Sequence, residues 1–365
     1  MKKKTETVMC RDVRIGGGAP VSIQSMTNTR TEDVQATLAQ IRSLQEAGCA
    51  IVRLAVSNMK EAEAFSEIRK GTDMPLVADI QFDYRLAVES AKRGADKIRI
   101  NPRYIGSRDH VREVVEACKE RNIPIRVGVN SGSVEKDILE KYGGVTPQGL
   151  AESAIRNVKI LEDMDFGDIV VSAKASDVQK NFETYRILSE MTDHPLHIGV
   201  TESGDPGRGS VKSAVGLGAL LLEGIGDTMR VSLAGDPVRE IPVAREILKC
   251  TGQLDSGVNL VSCPTCSRCR TDLPGIVDRV VRQIDEIEPL LIEKGVPSIT
   301  VAVMGCPVNG PGEASGADIG AACGDGMAAI FEKGKIVEKV SEADIEQVLI
   351  SGLKRIAEEK YGKEI

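Results

Sequence analysis

A short β-branched run, a polar turn and an amphipathic helical stretch recur eight times between Pro20 and Ala234 of this chain. The runs are PVSIQSM from Pro20, AIVRLAV from Ala50, PLVADIQF from Pro75, DKIRINP from Asp96, PIRVGVN from Pro124, DIVVSAK from Asp168, PLHIGV from Pro195 and TMRVSLA from Thr228. Between them the apolar residues return every three or four positions, as in Asp33 to Gly48, where Gly48 supplies a helix stop. Strands alternating with helices predict a parallel sheet, and eight repeats predict a closed (β/α)8 TIM barrel. An open doubly wound sheet is the alternative. Nothing here matches the glycine fingerprint such sheets often carry for dinucleotides.

The eighth run leads into a helix-like segment that starts at an Asp-Pro pair and stops at Gly252. From Asn259 the rhythm changes: a strand, a cysteine turn, a long helix from about Pro274 to Lys294, and the strand SITVAVMG. A glycine-rich turn around Gly310 and Gly312 follows, then ADIGAAC, a hairpin through GMAAIFEKGKIVEKV, and a last helix from Ser341. The expected organisation is a barrel over 1–236, a linker helix region over 237–258, and a small α/β domain over 259–365 with its metal ligands on turns. A length of 365 residues suits two domains.

Composition narrows the function classes. A net charge of -7 offers no general attraction to nucleic acid, and 3% aromatics with no tryptophan leaves little for base stacking. No apolar run approaches the roughly 20 residues of a membrane span. The start, MKKKTETVMC, has positive charges without an apolar segment, so no export signal is expected and the cytoplasm is the expected compartment. Nine cysteines in a reducing compartment then point to metal or redox chemistry rather than disulfides.

Barrel strands should be nearly continuous Val, Ile and Leu, and several of these are not. Arg53, Asp79, Arg99, Asn101, Arg126, Asn130 and Lys174 fall within or at the ends of runs, and Glu202 follows one. Arg99 with Asn101, and Arg126 with Asn130, are evenly spaced and share a strand face near the carboxyl-terminal mouth. Salt bridges plugging the barrel, Arg53 or Arg99 against Asp79, are one reading. However, three arginines and a lysine outnumber the two acids, and the surplus points to an anion, with arginine suited to a bidentate grip on phosphate. His197 reads equally as an acid or base and as a hydrogen-bonded core residue.

The stretch SCPTCSRCR places Cys263, Cys266 and Cys269 at C-x-x-C-x-x-C spacing, and Cys306 follows in GCPVNGPGE. Such spacing binds metal. Zinc and iron-sulfur both remain open, with the Cys-Pro pairs and the turn delivering Asn309 and Glu313 favouring iron-sulfur. Cys10, Cys49, Cys118 and Cys250 sit singly among apolar or helical residues and read as inert; Cys323 has no evident role.

SCPTCSRC and GCPVNGPGE, together with SIQSMTNT, VRLAV, KIRINP and RVGVN, closely resemble the bacterial 4-hydroxy-3-methylbut-2-enyl diphosphate synthase family of the methylerythritol phosphate route to isoprenoids. The resemblance runs from about Val8 to the last helix. It implies a TIM barrel followed by an iron-sulfur domain whose 4Fe-4S cluster is held by Cys263, Cys266, Cys306 and Glu313, leaving Cys269 a bystander. An oxygen ligand holds cluster iron less firmly than thiolate does, so Glu313 is the ligand expected to give way. The implied reaction is reductive ring opening of 2-C-methyl-D-erythritol 2,4-cyclodiphosphate with loss of water, driven by flavodoxin or ferredoxin. Arg53, Arg99, Arg126 and Lys174, with Asn101, Asn130 and Ser232, are expected to hold the diphosphate, and Asp79 to orient the cations. Glu202 is the expected acid or base, with Asn309 nearby. The family also implies a homodimer in which each cluster domain caps the other subunit's barrel. A pterin-type barrel transferase with a structural zinc, needing no reductant, and a non-catalytic metal-binding module are the rival readings.

Overall fold

The structure, a computed structural model, describes residues 3–306, 312 and 316–362. It divides into two compact units, Met1–Leu254 and Asp255–Ile365. The first unit opens with an antiparallel hairpin of β1 (Thr7–Cys10) and β2 (Val13–Gly16). The eight runs then supply β3 (Ser22–Met26), β4 (Ile51–Val56), β5 (Leu76–Ile80), β6 (Lys97–Ile100), β7 (Ile125–Asn130), β8 (Ile169–Lys174), β9 (His197–Gly199) and β10 (Thr228–Arg230). They form one parallel sheet in the order β8-β7-β6-β5-β4-β3-β10-β9, and a parallel bridge from Val171 to Leu196 joins its two ends. The sheet is therefore a barrel and not an open doubly wound layer.

Strand alternation divides the side chains of this barrel into two populations. Val52, Leu54, Leu76, Ala78, Ile80, Ile98, Ile100, Val127 and Val171 face outward and pack with the surrounding helices into the main core. The helix Val34–Glu46 is typical: Asp33 caps it by accepting from the Ala36 N–H at 3.1 Å, and Ile41 and Leu44 are buried on its inner face. The opposite strand face looks into the barrel and is mostly polar. Three apolar residues on that face, Ile51, Val77 and Val170, form a separate cluster with Val8, Cys10 and Ile15 of the hairpin. The hairpin therefore packs onto the amino-terminal end of the barrel. Sequence reasoning did not assign these two strands, in the first of which Val8 and Cys10 are buried between exposed neighbours.

The segment expected as a linker, 237–258, is largely part of the barrel. Its helix Glu240–Cys250 buries Ile241, Ala244, Ile247 and Leu248 in the barrel core, and the first compact unit continues to Leu254. This apolar face makes it the eighth barrel helix.

In the second unit β11 (Val258–Ser262), β12 (Ile299–Met304) and β13 (Ile319–Gly324) run parallel. The strands β14 (Met327–Glu332) and β15 (Lys335–Ser341) complete the sheet antiparallel. Helices Leu273–Glu293 and Ile345–Tyr361 cover it through Ile276, Val280, Ile284, Leu349 and Leu353. The last helix begins at Ile345 rather than Ser341, which ends β15 and donates its hydroxyl to Asp344 at 2.7 Å.

Candidate functional site

Strand register brings the expected cations together. Asp79 lies opposite Arg99, Arg99 opposite Arg126, and Asn130 opposite Lys174. Arg99 donates to Asp79 at 2.9 Å, and Arg53 reaches the other carboxylate oxygen at 3.5 Å. Both ion pairs weighed in the sequence are thus present on one aspartate. Burial raises the Asp79 carboxyl, but Arg53, Arg99 and Arg126 outweigh it and hold the group below the usual carboxylate range. Two glycines make the room: a Cβ on Gly128 would lie 2.5 Å from Arg99 Nε, and one on Gly199 2.6 Å from Lys174 Nζ.

The single aspartate does not compensate the cluster. Among the described residues no carboxylate pairs with Arg126 or Lys174, and Arg126 Nε and Nη1 are buried without a partner. Burial, then Arg53 and Arg99, push the Arg126 guanidinium well below its ordinary value. Burial, then Arg126, Arg53, Arg230 and Arg99, do the same to the Lys174 ammonium. Buried cations of this kind stay charged when an anion joins them.

Arg230, Glu240 and Met26 escaped the sequence reading. Glu240, the first residue of its helix and 2% exposed, accepts from Arg230 Nε at 3.1 Å and Nη2 at 3.0 Å. It also accepts from the Ser25 hydroxyl at 2.7 Å and the Leu233 N–H at 3.2 Å. The Met26 sulfur lies between Arg53, at 2.9 Å from Nη2, and Arg230, at 3.6 Å from Nη1. The parity of Arg230 with Ser232 was a usable signal; Glu240, on a helix, gave none.

The other expected residues are placed less tightly. Asn101 Oδ1 accepts from the Arg103 N–H at 3.2 Å, capping a short helix, which leaves its buried Nδ2 without a protein partner. Asn130 is exposed at the end of β7, and Ser232 is half-buried just past β10. Glu202 is exposed in the turn after β9 with φ of +54°, a left-handed conformation that costs a residue with a Cβ about 1 kcal/mol. His197 is fully buried, and burial, then Lys174 and Arg126, hold it neutral. Among the described residues neither of its ring nitrogens has a partner, so the hydrogen-bonded core histidine weighed above is not what is found there.

In the second unit, Cys263 follows β11 and Cys306 follows β12, and pairing of Ser262 with Val303 puts both at the same end of adjacent parallel strands. The cysteine turn is tied down by Cys269 N–H to Cys266 O at 2.9 Å and Arg270 N–H to Gly305 O at 3.2 Å. The Gly305 N–H points at Cys263 Sγ, 3.3 Å away, and Gly305 itself lacks a Cβ where one would lie 2.6 Å from Cys269 Sγ. Cys269 donates its thiol to Thr271 O at 3.3 Å. Among the described residues no three His, Cys, Asp or Glu side chains close into one metal group. Asn309 and Glu313 lie outside the described residues. Soft thiol donors gathered at one sheet edge, one receiving an N–H bond on sulfur, are a donor set that fits an iron-sulfur centre.

The remaining thiols sort by burial. It pushes Cys10 up to about 11, and Cys49, Cys118 and Cys323 to about 12, so these are inert packing groups. Cys250 differs from the expected buried thiol: it is exposed on its helix.

Comparison with known proteins bears on the whole chain. The family model described as the GcpE TIM-barrel domain matches residues 5–245, and that of the GcpE protein C-terminal domain matches 259–355. A Clostridium perfringens protein named 4-hydroxy-3-methylbut-2-en-1-yl diphosphate synthase (flavodoxin) is 54% identical over 97% of this chain and 99% of its own. A Geobacillus kaustophilus protein of the same name is 51% identical over 100% of this chain and 95% of its own. Among solved structures, dihydropteroate synthase of Stenotrophomonas maltophilia, 13% identical, superposes with a TM-score of 0.50 over 67% of this chain and 97% of that one, which bears on the fold alone. With both halves matched by their domain models and relatives aligned from end to end, the chain belongs to the GcpE family.

Proposed function

We propose that this enzyme reduces 2-C-methyl-D-erythritol 2,4-cyclodiphosphate to 4-hydroxy-3-methylbut-2-enyl diphosphate, with ring opening and loss of water. The observation that carries the reading is the uncompensated cation cluster of Arg126 and Lys174 beside the Asp79-bound Arg53 and Arg99. Arg126 and Lys174 donate to diphosphate oxygens, and the anion in turn keeps both charged. Asp79 holds Arg53 and Arg99 in place before substrate arrives, so little reorganisation is needed on binding. The low dielectric of the barrel interior strengthens each contact. Asn101 through Nδ2, Asn130 and Ser232 complete the polar wall, and Arg230, held by Glu240, extends it. Glu202 serves as the acid or base at the reacting carbons, and Asn309 of the second unit is the further catalytic residue.

Cys263, Cys266, Cys306 and Glu313 would hold a 4Fe-4S cluster, which when bound would supply two electrons, one at a time, from a flavodoxin or ferredoxin. The Gly305 N–H bond to Cys263 Sγ stabilises that sulfur as a thiolate ligand, while Cys269, packed on Gly305, shapes the turn. No helix of the described residues is long and apolar enough to cross a membrane; a homodimer in the cytoplasm is proposed from the family resemblance alone.

Protein purified without oxygen is expected to be brown, with iron and sulfide near four each per chain. With reduced flavodoxin it should consume the cyclodiphosphate. Arg126→Ala should raise KM strongly, Glu313→Ala should keep iron but lose turnover, and Cys269→Ser should keep its iron while Cys306→Ser loses it. A colourless zinc protein that needs no reductant would overturn the reading, and iron lost from Cys269→Ser but kept by Cys306→Ser would overturn the ligand set.

A further inference from the structure

The lower half of the barrel holds polar groups that substrate chemistry does not use. In a closed eight-stranded barrel, inward side chains of alternate strands form successive layers of four. Here one layer is Gln24, Val77, Arg126 and His197, and the layer beneath is Ile51, Lys97, Val170 and Thr228. The register pairs them one to one: Gln24 with Ile51, Val77 with Lys97, Arg126 with Val170 and His197 with Thr228. The hairpin residues Val8, Cys10 and Ile15 form the floor.

Such layers normally carry branched apolar side chains. Lys97 Nζ, both amide atoms of Gln24, Arg126 Nε and Nη1, both ring nitrogens of His197 and Thr228 Oγ1 are instead buried without a partner among the described residues. Lys97, Gln24, Arg126 and His197 are each at most 1% exposed. The nearby carboxylates are engaged elsewhere. Asp79 binds Arg99 and Arg53, and Glu240 binds Arg230. Asp96 binds Arg69 at 2.7 Å and the Leu76 N–H at 2.8 Å. Asp227 accepts from Thr5 at 3.1 Å and the Leu196 N–H at 3.0 Å. The groups acting on Lys97 are the Cys10 thiol and the cations Arg126 and Arg53. A buried unpaired charge costs several-fold more than a buried neutral group, and an array of N–H donors is the complement of an anion.

We propose that these two layers form a binding site for a single halide-sized anion, held by Lys97 with Gln24, Arg126 and His197, beneath the diphosphate site. An eight-stranded barrel leaves interior room for little beyond its own side chains, so a one-atom anion of the chloride class fits where a phosphate does not. The anion offsets Lys97 and the inner edge of Arg126, and leaves the outer edge of Arg126 to the substrate.

Bromide is the probe. Crystals of the whole protein grown in bromide, with inorganic pyrophosphate filling the mouth, should show an anomalous peak in contact with Lys97 Nζ. In solution the thermal midpoint at constant ionic strength should rise with the logarithm of bromide or chloride concentration relative to gluconate. The Lys97→Met protein should lose both the peak and the halide dependence while the pyrophosphate response persists. Should Lys97→Met fail to fold, the wild-type crystal decides alone. No anomalous density below Arg126, or a halide response unchanged in Lys97→Met, overturns the proposal. Density displaced by pyrophosphate also overturns it, since that places the halide in the substrate site.

Discussion

Replacing Asp79 by asparagine removes the carboxylate that pairs with Arg53 and Arg99 and lies beside Arg126, while preserving shape. In the wild type this carboxylate stands 2.9 Å from Arg99 and 3.5 Å from Arg53, and both ion pairs are largely buried. At an effective dielectric of about 20 each pair is worth roughly 5 kcal/mol before desolvation. Removing one partner from a buried pair costs about 3–5 kcal/mol net, and the amide retains one hydrogen bond, so a destabilisation of about 3 kcal/mol is expected. Urea unfolding with an unchanged slope measures it. Because the depressed Asp79 carboxyl contributes stability only when ionised, the wild-type advantage should be complete above about pH 4 and disappear as acidification passes its native value. Inorganic pyrophosphate, which restores negative charge, should stabilise Asp79→Asn more than the wild type. Equal stability of the two proteins, or an equal response to pyrophosphate, would refute the view that Asp79 preorganises an otherwise self-repelling cluster.

Three further outcomes can be checked. Glu240→Ala should cost about 3 kcal/mol by leaving the half-buried Arg230 unpaired, read as a lower unfolding midpoint. Ile15→Ala, at the barrel floor, should cost about 2–4 kcal/mol and leave KM unaltered in steady-state kinetics. Burial lowers the Lys97 ammonium to about 8 from 10.5, so the unfolded chain binds more protons between these values and wild-type stability should rise with pH there. In halide-free gluconate the deficit of wild type against Lys97→Met should therefore shrink by about 3 kcal/mol across that window, measured by urea midpoints.

The sequence made the barrel legible because its signal is local. Outward-facing Val, Ile and Leu on eight strands alternate with helices of period 3.6, and each unit can be read without knowing its neighbours. Arg53, Asp79, Arg99, Arg126 and Lys174 stood out for the same reason: charges interrupt runs that should be apolar. Which charge meets which was beyond that reading, because register across strands decides it. Asp79 proved to be shared by two arginines, not paired with one. The hairpin Thr7–Gly16 went unassigned because its two short strands acquire meaning only against Ile51, Val77 and Val170, far along the chain. Segment 237–258 was read as a linker since a helix's destination is not written in its own amphipathic face.

By itself, then, the sequence determined the eight-fold alternation, the surplus of positive charge on the strands and the clustering of soft donors at Cys263, Cys266, Cys269 and Cys306, all properties of residue type and spacing. Only the tertiary structure decided how the charges are apportioned. The barrel's closure places Glu240 on Arg230, leaves Arg126 and Lys174 without a carboxylate among the described residues, and seals Lys97 beneath them. Electrostatic energy depends on distance and burial, and both are set when distant strands come together.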